Sequence, residues 1–144
     1  MLVYHWMTPF PTTVSPTTCL AAAREIVVAK GIRHLPVCEG ERLVGIITDR
    51  DIRTALPSPA TSPSVWTLRL AECVQVEAVM TRWVFTIAAD APIVEAVRLM
   101  LAHRIGALPV TSEGRLVGII SATDVMRAFA EVLEEREEIS HAGS

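Results

Sequence analysis

The chain repeats itself with a constant shift of 73 residues, and no other feature limits its fold as strongly. Leu35-Pro36-Val37 recurs as Leu108-Pro109-Val110, and Arg42-Leu-Val-Gly-Ile-Ile47 recurs as Arg115-Leu-Val-Gly-Ile-Ile120. The register has no gap, because the same shift relates the Met-Thr pairs that lead into the two copies. A repeat with constant spacing predicts two copies of one structural unit.

Each copy shows the same order of extended and helical segments. In the first copy, an extended segment at residues 12–14 precedes a helix whose apolar face carries Leu20, Ala23, Ile26 and Val27. Two apolar strands then meet at a Glu-Gly turn, and a second helix starts at Thr48. The second copy follows the same order, with its second helix starting at Ser121. The predicted unit is therefore β-α-β-β-α.

Local capping signals predict the ends of the first helix in each copy. Ser15-Pro16-Thr17 offers capping chemistry in the first copy. In the second copy Asp90 can cap the helix, and Pro92 suits its first turn. Gly31 stands where a helix would end with a left-handed residue.

One copy alone is too small to be stable as an independent domain. About fifty residues bury too little apolar surface to offset the entropy lost on folding. We therefore expect an α+β fold in which two β-α-β-β-α repeats pack with pseudo-twofold symmetry. Such packing would leave two equivalent clefts at the junction, where ligands commonly bind.

The repeat divides the chain into four segments. We expect the first repeat at residues 1–56, a linker with a short helix at 57–76, the second repeat at 77–130 and an acidic helix end at 131–144. Residues 65–75 fit either a helix or a strand, and we favour the helix. The Glu-rich stretch at 134–138 predicts a solvated helix end, with a partner-binding tail as the alternative.

Composition excludes several broad classes of protein. Apolar residues make up 51% of the chain, and 13 Lys and Arg against 16 Asp and Glu give a net charge of −3. A disordered chain would be less apolar and more charged, and a nucleic-acid-binding domain would be basic. No uncharged apolar run is long enough to cross a membrane, and the first residues do not resemble a signal peptide. We expect a cytoplasmic protein.

The sequence shows no signature of metal binding or catalysis. The three cysteines have no C-x-x-C spacing, and the four histidines form no H-x-x-x-H pair. There is no G-x-x-x-x-G-K-[ST] phosphate loop and no pairing of a nucleophile with a base. We therefore predict no metal site, no required cofactor and no catalytic residues.

A hydroxyl stands three residues before a carboxylate at the start of the second helix in both copies, as Thr48 with Asp51 and as Ser121 with Asp124. One interpretation is a capping box, in which the two side chains bond to the backbone of the first turn. The other is a ligand site, since amides at a helix start bind phosphate and a carboxylate can bind ribose hydroxyls. The sequence leaves both open.

Basic residues gather near this motif in the first copy. Arg33 and His34 begin the first strand of the hairpin, and Arg50 and Arg53 lie in the helix after Thr48. The second copy has Gly106 and Ala107 in place of Arg33 and His34. A solvated surface is the alternative interpretation. If these residues face a cleft, the first copy would hold an anionic, phosphate-bearing ligand better than the second.

The doubled pattern of Met-Thr, I-x-x-L-P-V and R-L-V-G-I-I-[TS]-x-x-D resembles the tandem CBS domain family, also called the Bateman module. The likeness covers residues 4–53 and 77–126. The linker and acidic final helix further resemble stand-alone CBS-pair proteins of the acetoin-utilisation type. This resemblance implies an adenosyl ligand such as AMP, ADP, ATP or S-adenosylmethionine between the repeats, and a tendency to form homodimers.

The resemblance also implies which residues bind the ligand. Thr48 and Asp51, and likewise Ser121 and Asp124, would contact ribose and phosphate. Residues of the first strand and those around the proline would flank the base and phosphates. The implied first site comprises Thr13, Val14, Arg33, His34, Leu35, Pro36, Thr48, Arg50, Asp51 and Arg53; the second, weaker site comprises Thr86, Ile87, Ala107, Pro109, Ser121 and Asp124.

We therefore expect a regulatory sensor that binds an adenosyl ligand and signals through conformational change and dimer shape to a separate effector protein. A ligand can shift such an equilibrium only by its differential affinity for the two conformations. The alternative is a ligand-free structural, dimerisation or protein-interaction module, in which the T-x-x-D motifs are only caps. An enzyme is the third and least supported class, and we expect neither nucleic acid nor membrane as a partner.

Overall fold

A computed structural model describes residues 1–56, 69, 71–72 and 74–143 and contains two compact units. The repeat-one unit holds residues 11–84 and 114–116, and the repeat-two unit holds residues 1–10, 85–113 and 117–144. The expected α+β class with two repeats is confirmed. The helices are α1 (Val3–Trp6), α2 (Leu20–Lys30), α3 (Asp49–Ala55), α4 (Ile93–His103) and α5 (Ala122–Ala142), and the strands are β1 (Thr8–Pro9), β2 (His34–Glu39), β3 (Arg42–Thr48), β4 (Ile87–Ala88), β5 (Ala107–Ser112) and β6 (Arg115–Ser121).

In the repeat-one unit, the antiparallel hairpin of β2 and β3 is flanked on both sides by short pairings. Val14 lies parallel to Val37 of β2, and Thr81 lies antiparallel to Ile46 of β3. The helix α2 buries Leu20, Ala23 and Val27, as its periodicity predicts, and they join the apolar side chains of the hairpin in one core. Ile26, on the same predicted face, is only partly buried.

The repeat-two unit has the same plan with its own core. The strand β4 runs parallel to β5, β5 adjoins β6, and β1 runs antiparallel to β6 with Thr8 opposite Ile119. The helix α4 buries Ala96 and Met100 against Leu108 and neighbouring side chains of the hairpin. The shift of 73 residues therefore relates the same elements in both units.

Each unit is completed by the leading segment of the other sequence repeat. Residues 1–10 supply α1 and β1 to the repeat-two unit, and a short 3-10 helix at Val76–Ala78 with Thr81 belongs to the repeat-one unit. The sequence repeats and the compact units are therefore different divisions of the chain. We expected residues 1–56 to contain the first repeat, but residues 1–10 pack within the unit of the second.

The expected capping of the first helices was wrong. The N-cap of α2 is Cys19 and that of α4 is Pro92, and neither side chain makes a capping hydrogen bond. Instead the Leu20 amide donates to the Val74 carbonyl at 2.9 Å, and the Ile93 amide donates to Met1 at 3.0 Å. Backbone carbonyls of distant residues thus bind these amides, and neither Ser15-Pro16-Thr17 nor Asp90 supplies a side-chain cap.

The first helices end in a left-handed residue, as predicted at Gly31, but the second copy uses a side-chain-bearing residue there. Gly31 has φ 62° and Arg104 has φ 53°. We expect Arg104→Gly to raise the free energy of unfolding by about 1 kcal/mol, because glycine adopts this conformation without steric cost. Gly31→Ala should lower the free energy of unfolding by a similar amount, because alanine is strained at this φ. No other atom lies within 4 Å of the added methyl group, so a steric clash adds nothing to this cost. Urea unfolding would contradict this if both changes had the same sign.

The segment that joins the two repeats is described only in part. The predicted linker at 57–76 and the interpretation of residues 65–75 as a helix lie largely outside the described residues, although Arg69, Ala71 and Glu72 are helical. The final helix α5 extends to Ala142 with its Glu-rich stretch exposed. Among the helices of the described ranges, none combines the length and apolar character that a membrane span requires.

Candidate functional site

The T-x-x-D motif forms a complete capping box in each unit. The Asp51 amide donates to Thr48 Oγ1 at 3.1 Å, and the Thr48 amide donates to Asp51 Oδ2 at 2.9 Å. The corresponding bonds between Ser121 and Asp124 measure 3.2 and 2.8 Å. The capping interpretation is confirmed, and it fixes the hydroxyl and the carboxylate beside each other at the end of a strand.

A backbone hydrogen bond brings the basic residues of the first copy to the same place. The Asp49 amide at the start of α3 donates to the Arg33 carbonyl at 2.8 Å, which ties the residue before β2 to the helix. His34 follows and lies opposite Thr48 in the β2–β3 register. The fold thus assembles what we call the repeat-one cluster: Arg33, His34, Thr48 and Asp51.

Most amides of the first turn are not the free phosphate donors that one interpretation required. The amides of Thr48, Asp49 and Asp51 are bonded to Asp51, Arg33 and Thr48 respectively. Of the amides in this turn, only that of Arg50 is left for an anionic group, so side chains would supply most of the contacts to such a group. The guanidinium of Arg33 and the imidazole of His34 are the basic groups that the cluster provides.

The repeat-two cluster, formed by Gly106, Ala107, Ser121 and Asp124, has the same backbone but no basic residue. The Ala122 amide donates to the Gly106 carbonyl at 2.9 Å, which reproduces the bond seen in the first copy. The difference between the clusters is therefore one of side chains, because the strand and helix meet in the same way.

The carboxylate of the repeat-two cluster is buried and has more partners than its counterpart. Asp124 is 6% exposed, whereas Asp51 is half-buried. The Ser121 hydroxyl donates to Asp124 Oδ2 at 2.9 Å, and Arg127 Nη1 lies 3.6 Å from Oδ1. Asp51 has no ion-pair partner within the described part of the chain. We had not singled out Arg127, although its i,i+3 spacing from Asp124 was a usable signal.

Burial lowers the pKa of His34 below its ordinary value of 6.5. The neighbouring Arg33 guanidinium lowers this pKa further, and the Asp51 carboxylate opposes the shift. Burial therefore favours the neutral form of His34, and Arg33 carries the fixed positive charge of the cluster.

Acidification should destabilise the protein through His34. Its pKa is lower in the folded than in the unfolded chain, so the folded chain binds fewer protons around pH 6. The protein therefore keeps its full stability with respect to His34 above pH 6.5, and it loses stability as the pH falls towards the pKa of His34 in the folded chain. We expect His34→Ala, which introduces the residue found at position 107, to flatten this part of the pH profile in urea unfolding. An unchanged slope in the variant would contradict this assignment.

The remaining predicted binding residues divide by burial. Val14 and Leu35 lie in the core of the repeat-one unit, and Ile87 lies in the core of the other unit. The exposed Arg53 is ion-paired, with its Nε 3.2 Å from Asp49 Oδ2. Pro36 and Pro109 are also buried, Ala107 is buried, and Thr13, Arg50 and Thr86 are exposed.

The described residues provide no group of three His, Cys, Asp or Glu side chains that could hold a metal ion. Cys19 and Cys38 carry free thiols. The chemistry that the two clusters offer is hydrogen bonding and charge recognition.

The CBS domain family model matches residues 3–58 and 76–131. A CBS domain-containing protein of Dictyostelium discoideum is 35% identical over 140 residues, covering 93% of this chain and 94% of the relative. Some curated relatives are much longer: the chain spans 22% of a homoserine O-acetyltransferase of Methanococcoides burtonii and 21% of an inosine-5'-monophosphate dehydrogenase of Thermoplasma acidophilum. These matches therefore concern one part of each enzyme.

Solved structures are similar over most of the chain. A putative acetoin utilization protein (AcuB) from Vibrio cholerae has a TM-score of 0.78 and 33% identity, covering 96% of both chains. CBSX2 in complex with AMP has a TM-score of 0.78 and 29% identity, covering 91% of this chain and 97% of that one. The CBS domain pair of protein MJ0100 with 5-methylthioadenosine and S-adenosyl-L-methionine has a TM-score of 0.75 and 29% identity, with the same coverage.

Proposed function

The chain belongs to the CBS domain family, and on this basis we propose that it is a regulatory module that binds an adenosyl ligand. Candidate ligands are AMP, ADP, ATP and S-adenosylmethionine. CBSX2 in complex with AMP, and the MJ0100 pair with S-adenosyl-L-methionine, support this class of ligand. The ligand is a regulator rather than a substrate, and no cofactor is required.

The observation that carries this proposal is the composition of the repeat-one cluster. Within the described residues, the hydroxyl proton of Thr48 and Oδ1 of Asp51 make no hydrogen bond beyond the capping box. A hydroxyl donor and a carboxylate acceptor are therefore available to the phosphate and ribose of a nucleotide. The positive charge of Arg33 favours a ligand that carries a phosphate.

The two clusters should differ in affinity. The repeat-two cluster has Gly106 and Ala107 where the first has Arg33 and His34, so it offers no positive charge at those positions. We propose that one ligand binds each chain, at Thr48 and Asp51 together with the flanking residues Thr13, Arg50 and Arg53. Ser121 and Asp124 form the weaker site.

Calorimetric titration with AMP, ADP, ATP, S-adenosylmethionine and NADH tests the proposal. Asp51→Ala should weaken binding of the preferred ligand about ten-fold or more, because a hydrogen bond to a charged group is lost. It should also cost about 1 kcal/mol of stability through the lost cap. Asp124→Ala removes the same cap from the other unit and should weaken binding far less. Equal effects of the two variants on affinity would contradict the assignment of the site.

A second candidate function is a structural, dimerisation or protein-interaction module without a ligand. The complete capping boxes favour it, because capping alone accounts for the placement of Thr48, Asp51, Ser121 and Asp124. On this view Asp51→Ala lowers stability and changes no affinity. Failure of all five compounds to bind or to raise the melting temperature would establish this alternative over the sensor.

The output of the module is proposed to pass to a separate effector protein. Ligand binding would change the conformation of the chain and thereby the shape of a homodimer in the cytoplasm. Such a change requires different ligand affinities in the two conformations, typically worth about 1–3 kcal/mol. Purified protein is expected to leave ATP unconverted.

A further inference from the structure

We infer that Arg127 lowers the affinity of the repeat-two cluster for the adenosyl ligand, and that its replacement would strengthen this second, weaker site. The inference rests on the proposed function, since it concerns the same ligand. It assigns a specificity role to a residue outside the T-x-x-D motif.

Both oxygens of Asp124 already have partners. Oδ2 accepts hydrogen bonds from the Ser121 amide at 2.8 Å and from the Ser121 hydroxyl at 2.9 Å. Oδ1 faces Arg127 Nη1 at 3.6 Å, and the Asp124 side chain is only 8% exposed. Arg127 therefore competes with a ribose hydroxyl for Oδ1 of this carboxylate.

The first copy lacks this arrangement at the equivalent position. The counterpart of Arg127 is Thr54, which is too short and uncharged to pair with a carboxylate three residues away. Asp51 is more exposed than Asp124, and its Oδ1 has no ion-pair partner within the described residues. The same capping box is therefore accessible in one copy and covered in the other.

The strength of this closure follows from the exposure of the arginine. The Arg127 side chain is 68% exposed, so solvent screens the pair and the guanidinium can move away. Exposed ion pairs stabilise by up to about 1 kcal/mol, which corresponds to about a five-fold change in affinity. Arg127 thus weakens the second site by a measurable factor rather than abolishing it.

The experiment measures AMP binding by calorimetry in an Asp51→Ala background, where binding at the first site is weakened about ten-fold or more. We expect Arg127→Gln to tighten AMP binding about five-fold in this background, because the amide keeps much of the side chain but loses the charge. Arg127→Lys should leave the affinity low. In the otherwise unaltered chain, Thr54→Arg should weaken AMP binding by a similar factor, since it places the same pair on Asp51. Circular dichroism melts confirm that each variant is folded.

Each outcome bears on the inference. If Arg127→Gln leaves the second site unchanged while the unaltered chain still binds AMP, the closure by Arg127 is wrong and the proposed function stands. If Arg127→Lys opens the site as fully as Arg127→Gln, charge is not the cause and the inference also fails. If the unaltered chain binds none of the five adenosyl compounds, the proposed function fails and the inference fails with it.

Discussion

A chain that lacks residues 1–10 is expected to lose hydrogen-exchange protection in β5 and β6 while β2 and β3 remain protected. The removed segment contains Val3, which is fully buried in the core of the repeat-two unit. It also makes four backbone hydrogen bonds to that unit beyond the β1–β6 ladder, among them Val3 to Ala91 at 2.9 Å. Together these interactions contribute about 5 kcal/mol, enough to unfold a unit of this size.

Matched point substitutions give a finer test of which unit each leading segment packs into. Val3 and Val76 are related by the repeat and are both fully buried, but they lie in different units. Val3→Asp should remove protection from β5 and β6, and Val76→Asp should remove it from β2 and β3, because each buries an unpaired charge. If each variant instead lost protection in the other pair of strands, the leading segment of each repeat would pack within its own repeat.

Gly45→Ala and Gly118→Ala should each destabilise the protein by about 2–3 kcal/mol through overpacking. A methyl group at position 45 would lie 2.5 Å from Met80 Sδ and 2.9 Å from the Thr81 carbonyl oxygen. At position 118 it would meet Met7 Sδ and the Thr8 carbonyl. The flexible methionine side chain can move. The carbonyl of Thr81 or Thr8 cannot move without breaking the short antiparallel pairing of that residue with β3 or β6.

Urea unfolding of the glycine variants provides the measurement. Gly143→Ala is a suitable control, because the nearest atom to its added methyl group is 3.6 Å away, an ordinary contact. Combining Gly45→Ala with Met80→Ala should restore only part of the lost stability, since the Thr81 carbonyl remains. Full restoration would place the clash on the methionine alone, and a neutral Gly45→Ala would contradict the close approach itself.

The sequence was sufficient to predict the repeating unit but not the partners of its segments. The shift of 73 residues predicted the order of helices and strands, and the periodicity of Leu20, Ala23 and Val27 predicted the buried face of α2. The capping predictions failed because they considered only neighbouring residues. The carbonyl groups that bind the first amides of α2 and α4 come from Val74 and Met1, distant in sequence.

The sequence likewise predicted the residues of the candidate cluster but not their hydrogen-bond partners or burial. The T-x-x-D spacing located Thr48 and Asp51, and the basic pair Arg33 and His34 indicated an asymmetry between the copies. The sequence could not show that Thr48 and the Arg33 carbonyl bind the amides of Asp51 and Asp49, or that Leu35 lies in the core. Those facts depend on side-chain direction and on hydrogen-bond partners across a hairpin, and spacing along the chain does not determine either.

The exchange of leading segments also bears on how such a chain could have arisen. In a single-copy ancestor, the Met-Thr segment of each molecule would have had to pair with the sheet of a second molecule, and the segment of that second molecule with the sheet of the first. The duplicated chain would then be the covalent fusion of an obligate two-chain assembly, rather than the joining of two independent domains. Cutting the modern chain between its repeats would recreate that mutual dependence, with neither half complete on its own.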